Sequence, residues 1–320
     1  MRITNSMLVR NMMTNLNKNL ERMSKLQEQY QSGKLFQLPS DNPIGVSKSL
    51  KLYTDKSKIG QYKTNLRDAI AWLSTTEDAL DQMGEVLKRA SELTVKAANS
   101  TNNDDDLLAI KAEMEELKSQ IIQAANVTHA GRHVFSGYKT DRPLLDKDGY
   151  YYLKNDPSEA DVTLKANEIS VYNVGVSEDI EVNTVGIKVF GVVGNTGKNY
   201  NEDSVKTGDK PYVMQVFDDI IKALEDSNFD ELSKNIEVIE GVLKNTLQVR
   251  AEIGAKTNRL EMTQKRLESD SVNLTRLLSE NEDADLAEVI MNFKMAESVY
   301  LASMSAGARI IQPGLVDFLR

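Results

Sequence analysis

His129 and His133 stand four residues apart, the spacing that puts two imidazoles on one helix face where they could hold a divalent metal. A hydrolytic site of that kind needs a glutamate directly after the first histidine, and Ala130 stands there instead. Capping or packing near a helix end is the simpler role for the pair, and a metal-dependent hydrolase using His129/His133 ranks last among the alternatives. Asp146, Lys147, Asp148 and Gly149 open like a calcium loop, but such a loop needs its glycine sixth and a glutamate twelfth, so a hairpin turn is expected. Glu280, Glu282, Asp283 and Asp285 could pass for a carboxylate site; directly before Leu286 they read as the solvated start of a helix. There is no glycine-rich phosphate loop and no serine elbow. With no cysteine, thiol catalysis, cysteine-type zinc sites and disulfides are also excluded. The expectation is a protein without catalytic, cofactor-binding or metal residues, and not an enzyme.

Composition points the same way. The 320 residues are 40% hydrophobic and 27% charged, enough for a core, but only 6% aromatic with six prolines, which suits long helices better than a compact enzyme. A net charge of -9 without basic clusters argues against nucleic acid, and no run of about eighteen apolar residues is present to span a membrane. Residues 1–13 lack the apolar stretch and small-residue cleavage site of a secretory signal, so no secretory signal peptide is read there.

The elements are helices with narrow apolar seams. Leu286, Val289, Phe293, Ala296, Tyr300, Ser303, Gly307 and Ile310 recur at three-then-four spacing, and the apolar string continues through Ile311, Leu315, Val316, Phe318 and Leu319. Val9, Met13, Leu16, Leu20, Met23, Gln27 and Tyr30 repeat that rhythm near the other end, before a helix stop at Ser32-Gly33. Residues 1–34 carry a formal +4 and residues 281–320 a formal -3, so the ends attract each other, within one chain or between neighbours. Met7, Met12, Met13, Met291, Met295 and Met304 add adaptable contact surface. Seams this narrow, one ending in an apolar tail, call for partner helices, and subunit-interface roles are expected for Val9, Met13, Leu16, Leu20, Met23, Tyr30, Leu286, Val289, Phe293, Ala296, Tyr300, Ile310, Leu315, Phe318 and Leu319.

Between the ends, Pro39, Asp41 and Pro43 mark a hinge loop from Leu38 to Gly45. A second helix over about 46–99 carries Leu66, Leu73, Leu80 and Leu87 at intervals of seven. Asn102 to Asp106 breaks it and caps a third, carrying Leu107, Ile110, Met114, Leu117, Ile121 and Ala124; the two should form an antiparallel hairpin. Between Gly137 and Pro211 the helical period gives way to β-type runs at 150–153, 162–164, 169–174, 180–182 and 185–193. From Val213 helix returns, with Ile239, Ile253, Leu260, Leu267 and Leu274 at multiples of seven and Thr246 in the remaining place. The expected fold is mainly α: a long antiparallel coiled-coil-like helical rod made from N- and C-terminal segments, with a small inserted antiparallel β domain. Its parts are 1–45 with 281–320 as a terminal coiled-coil domain, 46–137 with 213–280 as a helical rod domain, and 138–212 as the insert.

Several stretches carry a resemblance. Arg2-Ile3-Thr4-Asn5, Ser32-Gly33 followed by Leu38-Pro39-Ser40-Asp41-Asn42-Pro43, Glu282-Asp283-Ala284-Asp285, Arg309-Ile310 and Leu315-Val316-Asp317-Phe318-Leu319 together resemble the flagellin superfamily. Gly131-Arg132-His133-Val134-Phe135-Ser136-Gly137-Tyr138-Lys139-Thr140 is similar to a segment typical of its hook-filament junction branch. Pro313-Gly314 departs from the family pattern, standing in the tail where a less disruptive pair is expected. The resemblance implies a structural subunit of the bacterial flagellum, located outside the cell. Its termini would form an axial coiled-coil layer in a homo-oligomeric ring of about eleven copies. Implied partners are the other hook-filament junction protein, flagellin, and a flagellar export chaperone on the C-terminal region. The alternative is flagellin, the filament subunit, itself; an unrelated secreted coiled-coil adhesin is a third rival.

Overall fold

The computed structural model describes residues 5–99, 103–153, 163–194, 197–199 and 204–311. The protein is 71% helical, and among the described residues seven helices accompany only small, two-stranded antiparallel sheets. The chain divides into two compact units, Met1–Ile59 with Ser269–Arg320, and Gly60–Glu268.

In the unit Gly60–Glu268 the core is built on α2 (Pro43–Ala97), whose Leu66, Leu73, Leu80 and Leu87 are all at most 1% exposed. Ala69, Met83, Ala90 and Ala97 widen this stripe, and the buried hydroxyls of Thr76 and Thr94 donate to the carbonyls of Trp72 and Ala90. A buried hydroxyl left unpaired would cost about 1–3 kcal/mol, so turning back onto the helix is what permits two threonines in a leucine stripe.

Asn103 and Asp106 form a capping box that starts α3 (Asp104–Ala125), and the apolar residues expected of that helix are all buried. Arg89 meets Glu113 at 2.7 Å near the turn, while Asp81 and Val127 line one shallow cleft farther along, so α2 and α3 are antiparallel. In α5 (Tyr212–Glu225), Asp218 and Glu225 pair with Lys118 and Lys111 of α3 at 2.6 and 2.8 Å. The helical return is not one element. Ser227 takes φ +48° and breaks the chain before α6 (Phe229–Glu282). Along α6 Ile239, Ile253, Leu260 and Leu267 are buried, and Thr246, fully buried, bonds back to the Val242 carbonyl. Arg250, on the polar edge of that stripe, pairs with Asp81 and Glu77 of α2.

The β region is a set of hairpins. Ala130 at φ +50° and Gly131 at φ +79° make a two-residue turn between β1 (Thr128–His129) and β2 (Arg132–His133). The two histidines therefore sit on opposite strands and not on a shared helix face, because a helix cannot pass through two positive φ angles. β3 (Thr163–Lys165) pairs with β8 (Ser204–Lys206), and β4 (Val171–Gly175) with β5 (Glu178–Glu181). The run 185–193 also departs from expectation: α4 (Gly186–Phe190) is a single helical turn, followed by β6 (Val192–Gly194) paired with β7 (Gly197–Asn199). Here packing overrides the β propensity of the valines. The Gly186 amide donates to the Phe135 carbonyl at 2.8 Å, and one turn from that anchor buries Ile187, Val189 and Phe190 together. Asp146 to Gly149 forms the expected turn, with Gly149 at φ +83° and Leu145 bridged to Tyr151.

Candidate assembly surface

The terminal helices form a hairpin within the unit Met1–Ile59 with Ser269–Arg320. Gly33, at φ +67°, ends α1 (Asn5–Ser32) as the sequence indicates, its amide donating to the Gln29 carbonyl at 2.9 Å. The Asp285 carboxylate opens α7 (Leu286–Ile311) by accepting from the amides of Ala287 and Glu288. α1 and α7 run antiparallel: Lys34 bridges Asp283, the Asn19 amide donates to the Ser303 hydroxyl at 3.4 Å, and Met12 packs over Gly307. A Cβ at Gly307 would lie 2.5 Å from the Met12 methyl, so the glycine makes the notch in which that side chain sits.

This pairing gives the hairpin two faces. Inward, Val9, Met12, Leu16, Asn19, Met23 and Leu26 of α1 are half-buried, as are Phe293, Ala296, Tyr300 and Ser303 of α7, with Val289 and Gly307 buried. Away from that face, Met7, Leu8, Met13 and Leu20 are between 44 and 54% exposed. The same holds for Ile290, Met291, Met295, Val299, Leu301 and Met304, between 43 and 60%. Tyr30 and Leu286 continue the inner spacing yet are 51 and 48% exposed. The residues singled out from sequence thus divide. Val9, Leu16 and Met23 join the α7 residues inside, Met13 and Leu20 lie outside, and Tyr30 and Leu286 are exposed although in register with the inner residues. The inner residues keep the same seven-residue repeat, with Met12, Asn19 and Leu26 in the places expected of Met13, Leu20 and Gln27. A polar residue at 19 hides this from a reading of apolar spacing. Leu315, Phe318, Leu319 and the Pro313-Gly314 pair lie outside the described residues, and Ile310 is described only as helical backbone.

At the base of the hairpin is a polar latch that no local pattern announced. Glu282, read as part of a solvated run, is only 6% exposed. Its carboxylate accepts from Lys34 Nζ at 2.6 Å and the Tyr53 hydroxyl at 2.9 Å, while Asn281 donates to the Ser49 hydroxyl and the Gly45 carbonyl. Burial pushes the Glu282 carboxyl up, but hydrogen bonds from Lys34, Ser49 and Tyr53 outweigh it and hold the group below its usual range. The Glu282 bond in turn raises Lys34 above the ordinary ammonium value against the opposing effect of burial. Backbone bonds from Leu35 to the Glu282 carbonyl and from Ala284 to the Gly33 carbonyl close the joint.

In the hinge loop, the Asp41 amide closes a turn onto the Leu38 carbonyl, and its carboxylate pairs with Lys25 at 3.1 Å. That bond holds the Asp41 carboxyl below its ordinary value. The Asn42 side chain caps α2 through the Gly45 amide, with Pro43 in the first turn, where its missing N–H is harmless. Pro39 is exposed.

Side chains with chemical potential are occupied structurally. His129 Nδ1 lies 2.9 Å from the Thr75 hydroxyl, with its ring 5.7 Å edge-on from Trp72, and His133 Nδ1 lies 3.0 Å from the Asn126 carbonyl. Among the described residues no group of three His, Cys, Asp or Glu side chains could hold a metal, and no helix is long and apolar enough to cross a membrane.

Comparison with known proteins accords with this geometry. Residues 3–140 match the family described as the bacterial flagellin N-terminal helical region, and residues 236–319 the bacterial flagellin C-terminal helical region. The chain is 26% identical over 318 residues to flagellar hook-associated protein 3 of Escherichia coli, covering 96% of both. It is 27% identical to flagellin of Bacillus subtilis, covering 98% of this chain and 97% of the other. Among solved structures it is similar to a putative flagellar hook-associated protein from Vibrio parahaemolyticus, with a TM-score of 0.62, 22% identity and coverage of 76% of this chain and 100% of the other. It is also similar to hook-associated protein-3 from Legionella pneumophila, with a TM-score of 0.56, 16% identity and coverage of 72% and 97%.

Proposed function

Because the chain belongs to the bacterial flagellin family through both its terminal regions, we propose that this structural flagellar protein is the subunit joining hook-side proteins to the flagellin filament. The carrying observation is the two-faced terminal hairpin. Its inner face is satisfied within one chain, while Met13, Leu20, Met291, Met295 and Leu301 stand exposed around the rest of it, as do Tyr30 and Leu286. So many exposed large apolar side chains on one helix pair accord with a surface covered by other subunits. In this reading residues 1–45 with 281–320 form the axial layer of a ring of about eleven copies, as a repeated head-to-tail contact closes on itself. Residues 46–137 with 213–280 form the surrounding helical rod, and 138–212 the insert. The other junction protein and flagellin would flank the ring, and an export chaperone would shield the C-terminal region of a subunit exported without a cleaved signal. Full-length similarity to a hook-associated protein supports the junction role.

Flagellin itself is the second reading, supported by comparable identity to the Bacillus subtilis protein. Deletion of the gene separates the two. A junction subunit predicts hooks without filaments and intact flagellin shed into the medium. Complete filaments on the deletion strain overturn the junction reading, and purified protein that polymerises alone into long filaments favours the second.

A further inference from the structure

The methionines are distributed unevenly. Seven of the eleven described ones, Met7, Met12, Met13, Met23, Met291, Met295 and Met304, lie on α1 and α7, and none of these seven is buried. Met83, Met114 and Met214 are at most 1% exposed in the core of the other unit, where Met262 is at the surface. The chain has no cysteine, and its single tryptophan, Trp72, is 9% exposed. An oxidant meeting the free subunit therefore finds no thiol to consume it, and among the described residues the accessible thioethers are those of the terminal hairpin and of Met262.

We propose that methionine oxidation on the outer face of the α1–α7 hairpin is a modification that controls whether a free subunit can join an assembly. Hydrogen peroxide supplies the oxidising equivalents. The sulfur lone pair attacks one peroxide oxygen, the O–O bond breaks, the proton on the transferred oxygen passes to the departing hydroxide, and the products are the sulfoxide and water. Each conversion places a strongly polar S=O group in a surface otherwise built of methionine, leucine and isoleucine. The half-buried Met12 is a second point of leverage, because its sulfoxide oxygen would enter the notch at Gly307 and part the two helices. In the unit Gly60–Glu268, Met83, Met114 and Met214 are out of reach in the core and only Met262 is at the surface, so modification changes exposed side chains without unfolding the protein. Once neighbours cover the face, the same residues are shielded, and sensitivity belongs to the unassembled subunit.

This inference rests on the junction reading, and one experiment distinguishes their failures. Purified full-length protein is treated with dilute hydrogen peroxide, mapped by peptide mass spectrometry, and added with flagellin to isolated hooks from the deletion strain. Met7, Met13, Met291, Met295 and Met304 are expected to oxidise at least about tenfold faster than Met83, Met114 and Met214. Treated protein should keep its helical circular dichroism yet fail to support filament growth, and methionine sulfoxide reductase should restore that growth. Treated protein that supports filaments as well as untreated protein, or that loses function only by unfolding, overturns the inference and leaves the junction reading standing. Untreated protein that supports no filaments overturns the reading and the inference with it.

Discussion

Glu282 carries the energetics of the joint between the terminal hairpin and the adjoining helix ends. Its folded carboxyl lies below the ordinary value of 4.5, so the stabilisation is complete above pH 4.5 and is lost as pH falls through the folded value. Lys34 is raised, so its share is complete below the ordinary 10.5 and lost only as pH rises through its own folded value. Across neutral pH the latch is therefore closed. Glu282→Gln keeps the shape and removes the charge. With Lys34 partly solvated, the expected cost is about 1–2 kcal/mol, seen as roughly tenfold faster amide exchange in α1 and α7 at pH 7. The difference from the native protein should shrink below pH 4.5, where the native carboxyl protonates too; an undiminished difference at low pH would locate the effect elsewhere. Gly307 makes a second residue-scale case. Gly307→Ala meets only the flexible end of Met12 and should cost less than about 1 kcal/mol, whereas Gly307→Leu displaces that side chain and should cost about 1–3 kcal/mol. Comparing α1–α7 amide protection in the two variants checks the notch.

Elements here differ in how many sides they bury. α2 contributes leucines at most 1% exposed, while no α1 side chain described is buried. Leu73→Ala should accordingly cost about 2–5 kcal/mol in thermal or denaturant unfolding. Leu20→Asp, on the outer face of α1, should leave monomer stability within about 0.5 kcal/mol and abolish joining to hooks. A Leu20→Asp subunit that still supports filament growth would remove the outer face from the proposed interface. In solution α1 and α7 should exchange amide hydrogens faster than residues 60–97 of α2, since one thin stripe is all that holds them; equal protection of both would contradict that account.

At the scale of the whole chain, the helical periods, the Gly33 and Asn103 boundaries and the non-helical stretch after Gly137 were legible because each is a local property, written in spacing and backbone preference over a few turns. The fold class follows from them, while the family rests on the likeness of particular segments such as Leu38-Pro39-Ser40-Asp41-Asn42-Pro43 and on the matches of both terminal regions. What spacing could not supply was any choice between neighbouring faces. A seam of Val9, Met13, Leu16 and Leu20 differs from Val9, Met12, Leu16 and Asn19 by less than half a turn, and only the position of α7 decides which is covered. The same limit hid Glu282, whose burial depends on Lys34 and Tyr53, 248 and 229 residues away in the chain. It also hid the turn of helix at Gly186, which forms because Phe135 and Leu144 lie close against it. Local periodicity determined which segments are helices and which carry apolar stripes. Tertiary structure alone decided which stripe is spent inside the chain and which is left for a neighbour, because burial is a property of pairs of surfaces and not of either one.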